Sequence, residues 1–391
     1  MIIGIVLPDV PQYSETFFSS KIKILEEAGI KVMVFGGSRN TVRHNFRYSG
    51  AYPVYKSNKL KQYFLIFCVI AITFIRSPIR SVKLFNAEKR DGNSSFESLK
   101  TLYLNAHILP YKLDWIHFGF ATMALKRENI GSVTGAKTGV SFRGYDINIY
   151  PLKNPGCYQK LWKKADKVHS ISKYLYRRAL SAGLSPATDY EIISPSVDTS
   201  YFRMRVNAGE LKTPLRILTI GRLNWIKNYE TAISAMKILK DRNIEFKYEI
   251  VGTGSEYERL KFAVYQCGLN DNIIFTGKID HGKVRNKMYE SDIYLQTSYQ
   301  EGFCVSVLEA QSTGMLCVVS NADGLMENII DGETGWIVNK RNPQEFADKI
   351  TEILNMPSER RKEIVTKAAD RVKKEYDTKE QRKKFLNFYN N

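Results

Sequence analysis

The sequence predicts an α/β protein of two domains, each a parallel sheet covered by helices on both faces. Three observations lead there. The chain has 391 residues, enough for two domains of about 190 residues each. Short apolar segments of strand type alternate with helical ones through both halves, the pattern of parallel sheets. Between the halves, the stretch from Pro195 to Pro214 is polar and interrupted, as a hinge would be.

Taken in order, the first half opens with a strand at 2–7, a helix at 14–28 and a strand at 31–35. Ser14 is placed to cap that helix, and Glu15 lies in its positive first turn. WIHF (115–118) ends a further strand, KTGVSF (137–142) makes another, and ADKVHSIS (165–172) and DYEIIS (189–194) continue the series. The second half starts at LRILTIG (215–221), with strands recurring at about 246–251, 273–276, 292–296 and 316–319. Asn342-Pro343 reads as an N-cap and first helical residue opening a helix over 343–355. The charged tail, 357–389, reads as helix.

Composition narrows the function classes. A hydrophobic content of 43% with 12% aromatics is that of a packed protein and excludes large-scale disorder. Five cysteines, at 68, 157, 267, 304 and 317, are odd in number and lack metal-site spacing. They read as reduced thiols of a cytosolic protein. Met1 runs straight into IIGIVL, so no secretory leader is expected.

The net charge of +18 calls for an anionic partner. No recognisable nucleic-acid motif organises the basic residues, so nucleic acid is not expected. An anionic membrane surface accounts for them more simply. Lys56, Lys59, Lys61, Arg76, Arg80, Lys83, Lys89 and Arg90 stand against the single acid Glu88 across that interval. They flank YFLIFCVIAITFI (63–75), which as a helix spans only about 20 Å against a hydrocarbon core of roughly 30 Å. That segment is either a buried core helix or an interfacial helix whose basic ends snorkel; a transmembrane span is not expected.

The most informative feature is EGFCVSVLEAQSTG (301–314). Glu301 and Glu309 form a Glu-x7-Glu pair at a loop-to-helix junction, with Gly314 in the C′ position. Gly302 to Glu309 is two helical turns, roughly 10 Å of rise. That spacing suits a ligand with hydroxyls at both ends and charge between them, facing the free amides of 302–304. A sugar joined through a diphosphate to a ribose fits.

With GRLNWIKN (221–228), VGTGSE (251–256), IIFTGKI (273–279), SDIYLQTSYQEGF (291–303) and NADGLMENIIDGETGWIV (321–338), the chain resembles the retaining GT-B glycosyltransferases of family 4. PDVPQYSETFF (8–18), DWIHFGF (114–120), SFRGYDI (141–147) and SPSVDTSYF (194–202) extend the resemblance through the first half. Its Ser-Glu-Thr-Phe, His-Phe-Gly and Arg-Gly-Tyr-Asp pieces look most like the branch that builds colanic acid and related exopolysaccharides.

The resemblance implies two Rossmann-like domains facing a central cleft. The first, 1–197, would bind the acceptor and recover a C-terminal helix from about 374; the second, 198–373, would bind the nucleotide sugar. Gly221, Arg222 and Lys227 would hold and neutralise the diphosphate. Glu309 would take the ribose hydroxyls, and Glu301 the hydroxyls of the transferred sugar, each carboxylate accepting two donors. Gly302, Phe303 and Cys304 would supply close backbone contacts. Gly324 and Glu327 correspond to a further loop whose usual Gly-Gly is Asp323-Gly324 here.

In the first domain, His117 would face the donor sugar. Arg143, Asp146, Ser14, Glu15 and Thr16 would contact sugar or acceptor, although Asp146 and Ser14 read equally well as helix caps.

VGTGSE lacks the third glycine of a dinucleotide fingerprint, Tyr257 standing there, which disfavours a dehydrogenase. There is no Asp-x-Asp metal handle, and metal-independent transfer is expected, with no cofactor beyond the nucleotide-diphosphate sugar substrate. Front-face retention would let the leaving diphosphate take the acceptor's proton. The implied partners are a lipid-linked oligosaccharide or glycan acceptor and an anionic membrane, with the enzyme peripheral on the inner face of the cytoplasmic membrane. Two alternatives share the architecture: a nucleotide-sugar epimerase and a non-catalytic scaffold.

Overall fold

The computed structural model describes residues 1–9, 16–37, 46–55 and 57–390. One sheet contains β1 (Ile2–Val6), β2 (Lys31–Gly36), β3 (Arg47–Gly50), β4 (Trp115–Phe118), β5 (Lys137–Phe142), β6 (Lys167–Ser170) and β7 (Asp189–Ile192). Its order is β3-β2-β1-β4-β5-β6-β7, and every pairing is parallel. The other contains β8 (Leu215–Ile220), β9 (Phe246–Val251), β10 (Ile273–Gly277), β11 (Ile293–Gln296), β12 (Leu316–Ser320) and β13 (Trp336–Val338). It runs β10-β9-β8-β11-β12-β13, again wholly parallel.

Central strands of such sheets are covered on both faces and read as continuous apolar runs. Accordingly β4 and β11 are buried at all four positions. The sequence reading misses β3 and β13, both at sheet edges, because RYSG has no apolar run and WIV is only three residues long.

In each sheet the strand order reverses once, between β1 and β4 and between β8 and β11. Loops leaving those neighbours diverge, opening a crevice at the strands' carboxyl ends where ligands of this architecture bind. Of the residues expected at the site, His117 lies on β4, Arg222 and Lys227 follow β8 and Glu301 follows β11, while Arg143 and Asp146 follow β5.

The chain divides into two compact units, Met1–Ile171 with Leu175–Ile193 and Arg382–Asn391, and Ser172–Tyr174 with Ser194–Gln381. The sequence-based boundaries, 197 and 374, differ from these. The predicted tail helix is two helices, Ser358–Glu375 and Thr378–Asn390, interrupted at Tyr376–Asp377. At the interruption Val197 bridges Asp377, Thr199 Oγ1 donates to Asp377 Oδ2 at 2.6 Å, and Gln381 Nε2 donates to Ser194 O at 2.8 Å. The outgoing and returning segments are thus tied to each other.

In the first unit, α1 (Thr16–Glu27) buries Phe18, Ile22 and Leu25 at helical spacing. They join Ile3, Ile5 and Val34, and also Phe385, Phe388 and Tyr389 of the returning helix. α2 (Lys59–Arg76) is capped by Asn58, whose Oδ1 accepts from Lys61 N–H at 3.0 Å, and α3 (Pro78–Arg90) begins with proline at its first position. Of all α2, only Val69 and Thr73 are buried. The apolar 63–75 segment is therefore a surface helix, packed along one side on α3 and on α4 (Ser95–Asn105). No helix among the described residues is long and apolar enough to cross a membrane.

Candidate functional site

Beyond β8 the chain turns at Gly221 and makes a short 3-10 turn, Trp225–Lys227, capped by the Asn224 side chain. Asn228 follows with φ +51°. Its buried amide donates to Thr297 O at 3.1 Å and Lys340 O at 2.9 Å, fastening the Lys227 turn to the end of β11. The glycines of VGTGSE have a packing role. A Cβ on Gly252 would lie 1.9 Å from Gly221 O, and one on Gly254 2.2 Å from Leu223 O.

Across the switch point, the loop after β11 carries Glu301. Lys227 Nζ donates to Glu301 Oε1 at 2.6 Å, with the two side chains only 17% and 12% exposed. Burial alone would lower the Lys227 pKa; the Glu301 carboxylate outweighs it and the net shift is upward. Ser298 Oγ donates to the same carboxylate oxygen at 2.7 Å. Beneath it, Tyr294 OH donates to Gln296 Oε1 and bonds Ser306 Oγ, and Gln296 Nε2 donates to Ser298 Oγ. Arg222 is exposed beside this network, and its side chain makes no hydrogen bond or ion pair among the described residues.

The helix carrying Glu309 runs Val305–Ser312, and Gly314 follows it with φ +80°, the expected left-handed terminus. It starts later than the sequence reading assumed. Its first-turn amides are those of 305–307, and the Cys304 N–H is already taken, donating to Asn328 Oδ1 at 3.2 Å while Asn328 Nδ2 donates back to Cys304 O. Phe303 is buried, its ring 5.5 Å from that of Tyr376, and Cys304 is buried with its thiol pKa raised by burial. Glu309 accepts from His281 Nε2 at 3.3 Å, and His281 lies parallel to Tyr201 at 5.5 Å.

Gly324, in the loop with the altered glycine pair, donates its N–H to Glu301 O at 3.0 Å. A Cβ there would come within 2.1 Å of Gly302 O, so only glycine fits against the Glu301 loop. Glu327 accepts from the amides of Lys173 and Tyr174 at 3.0 and 2.7 Å; its carboxylate is a backbone anchor.

In the first unit, His117 is wholly buried rather than placed at the surface where a sugar could meet it. Its Nδ1 lies 2.8 Å from Tyr389 OH, and its Nε2 lies 2.6 Å from Ser141 Oγ and 3.1 Å from Lys21 Nζ. Ser141 Oγ reaches His169 Nδ1 at 2.7 Å, and His169 Nε2 donates to Ile193 O at 2.9 Å. A carbonyl can only accept, so His169 carries its proton on Nε2 and its Nδ1 accepts from Ser141 Oγ. His117 Nε2 cannot both donate to Ser141 and accept from the Lys21 ammonium, so only one of its two contacts is a hydrogen bond at a time. Both imidazoles are neutral. Burial first, and the Lys21 charge second, pull both far below the ordinary histidine value.

Asp146 is likewise buried, both oxygens accepting from backbone amides: Arg143 and Gly144 on one, Ala121 on the other, each at 3.0 Å. The helix-cap reading does not hold, since Gly144 is the N-cap of the short helix Tyr145–Asn148 and Asp146 lies inside it; the buried carboxylate anchors backbone amides instead. Arg143 lies over the Phe17 ring at 3.5 Å. Thr16 begins α1, and Ser14 and Glu15, with the Ser14 cap, lie outside the described residues.

Residues 202–371 match the family model for glycosyl transferases group 1. The whole chain superimposes on sucrose-phosphate synthase of Thermosynechococcus elongatus with a TM-score of 0.75, covering 100% of this chain and 98% of that one at 17% identity. HepE of Anabaena, solved with UDP and glucose, gives a TM-score of 0.71 over 99% and 98% at 15% identity. The chain has the GT-B fold of these structures, and its residues 202–371 carry the group 1 glycosyl transferase pattern.

Among curated relatives, the putative colanic acid biosynthesis glycosyltransferase WcaL of Escherichia coli is 24% identical to this chain, over 96% of each. WcaL of Salmonella typhimurium is 27% identical over 67% of this chain and 66% of its own length. The amylovoran biosynthesis glycosyltransferase AmsK of Erwinia amylovora is 27% identical over 66% and 65%. Sequence reasoning missed His281, Ser298, Asn328 and the Tyr294–Gln296 pair. Gln296 and Ser298 sit inside the SDIYLQTSYQEGF block already singled out, where polar residues at a strand's buried end were a usable signal. Asn328 likewise lies inside the NADGLMENIIDGETGWIV block; His281 comes from a distant segment and carried no signal.

Proposed function

We propose that this chain is a glycosyltransferase that moves a sugar, with retention and without a metal, from a nucleotide-diphosphate donor to a hydroxyl of a glycan or lipid-linked acceptor. The observation that carries the reading is the Lys227–Glu301 pair at the β8–β11 switch point, with Arg222 exposed beside it. Two cations there can balance the charge that grows on a departing diphosphate. Glu301 is the acceptor for hydroxyls of the transferred sugar and Glu309 for those of the ribose. The anomeric carbon's bond to the diphosphate oxygen breaks as its bond to the acceptor oxygen forms on the same face, and the acceptor's proton passes to the departing diphosphate. In this reading His117 and Asp146 act through the architecture of the first unit rather than by touching the sugar.

Relatives named for colanic acid and amylovoran biosynthesis support a place in exopolysaccharide assembly. A Mycobacterium tuberculosis relative is named as GDP-mannose-dependent, and HepE was solved with UDP and glucose; both support a nucleotide-sugar donor. We place the enzyme peripherally on the inner face of the cytoplasmic membrane. The test is calorimetric titration of UDP, GDP, ADP and CMP, with and without EDTA, followed by transfer assays with the sugar of whichever nucleotide binds. Selective binding, indifferent to EDTA and weakened in Glu309→Ala, supports the reading. Dependence on a divalent cation or inversion at the anomeric carbon in the product overturns the corresponding part.

A further inference from the structure

Deepening that placement, and resting on it only for the choice of membrane, we propose that the outer face of α2 and the start of α3 form the surface that seats the enzyme on an anionic bilayer. Leu60, Phe64, Phe67, Ala71 and Ile75 recur at i, i+4, i+7, i+11 and i+15, one stripe of a helix. Their side chains point to solvent: Leu60 is 84% exposed, Phe64 71%, Phe67 72% and Ile75 81%. Ile79, in the first turn of α3, is a further exposed apolar side chain at 70%. The stripe is about 22 Å long and holds no charged residue. Isolated apolar side chains are ordinary on protein surfaces; a continuous row including two phenylalanines marks an interaction site.

Charge decides the occupant. Lys59 and Lys61 lie at one end of the stripe, and Arg76 and Lys83 at the other, all exposed. The one acid between residues 57 and 90, Glu88, is buried and accepts from Asn93 and Asn129. The exposed part of α2 and α3 is therefore apolar along its ridge and purely cationic at its margins. Phospholipid headgroups complement that arrangement, with the rings at the acyl boundary and the basic side chains among the phosphates. A second copy of this chain would bring the same cations against themselves with no acid to pair them. Arg80 is not part of the surface, since its guanidinium donates to Leu109 O and Tyr111 O, both at 2.7 Å.

The test uses the full chain in vesicle co-sedimentation, comparing phosphatidylglycerol–phosphatidylcholine vesicles with pure phosphatidylcholine. Binding should require the anionic lipid and weaken with salt. Phe64→Ser/Phe67→Ser should weaken it at least tenfold, and each of Lys59→Gln, Lys61→Gln and Arg76→Gln about fivefold at low salt. Phe67→Trp should show a blue-shifted emission, quenched by brominated lipid. Thermal melts and nucleotide titrations without vesicles should be unchanged in these variants, which separates this surface from the donor site. Equal binding to neutral vesicles, or undiminished binding of the double serine variant, overturns the proposal. So does a dimer that the double serine variant abolishes while the parent ignores vesicles.

Discussion

Lys227 and Glu301 meet at 2.6 Å across the gap between β8 and β11, so the cation expected on the diphosphate and the carboxylate expected on the sugar hold one another in place. Arg222 is the charge left uncompensated beside them. The two cations should respond differently to removal. Arg222→Ala should reduce transfer at unchanged thermal stability. Lys227→Ala should cost about 10²- to 10³-fold in turnover and also destabilise the fold by about 1–3 kcal/mol, because it leaves a largely buried carboxylate with the Ser298 hydroxyl but without its cation. Initial-rate kinetics and thermal melts on both variants decide the matter; full activity of the double variant would remove these residues from the site.

His281 gives the second half of the site a pH dependence. Its hydrogen bond to Glu309 raises its pKa above the ordinary value, against the opposing effect of partial burial. The folded-state pKa is raised, so the pair's stabilisation is present below about pH 6.5 and fades as pH rises through the folded value. Because His281 is more than half exposed, screening holds the effect small. Freed of its partner at higher pH, Glu309 should accept ribose hydroxyls better. Nucleotide affinity should therefore rise a few-fold between pH 6 and 8.5, and His281→Gln should flatten that profile in calorimetric titrations.

Gly324→Ala tests whether the Asp323-Gly324 loop supports the Glu301 loop. The added methyl would overlap Gly302 O at 2.1 Å, and relief requires the Glu301 loop to move. A loss of about 1–3 kcal/mol, or several degrees in melting temperature, should come with reduced transfer. Gly29→Ala is the comparison: its methyl meets no atom within 4 Å, but φ there is +79°, so it should cost some stability through backbone strain and leave transfer untouched.

The buried histidines make acid stability a property of the first unit. Both have folded pKa values below the ordinary range, so from about pH 6.5 downward the unfolded chain takes up protons that the native state refuses. Each histidine then costs about 1.4 kcal/mol per pH unit until its folded value is reached. Chemical denaturation between pH 7 and pH 5 should show this slope. His169→Gln should shallow it, and an unchanged slope would mean that the imidazoles titrate normally.

The donor-side residues were legible because their signals are local. Arg222 and Lys227 stand just past a strand end, and Glu309 lies on an eight-residue helix closed by Gly314. The start of that helix was misplaced, since Cys304 resembles no capping residue and uses its backbone with Asn328 instead. His117 was legible as a strand-end residue, but strand ends do not say which face a side chain takes. The returning helix decided that, covering His117 with Phe388 and Tyr389.

The sequence by itself determined two parallel sheets, the succession of most of their strands, and the junction carrying Glu301 and Glu309. Periodicity, caps and glycines act within a few residues, so they can be read in one dimension. Tertiary structure alone decided that Lys227 pairs with Glu301 over 74 residues of separation and that His281 reaches Glu309. It also decided that the apolar segment 63–75 turns Phe64 and Phe67 outward. Those outcomes depend on which faces the sheets and neighbouring helices leave open, and hydrophobicity alone, being non-directional, does not choose among them.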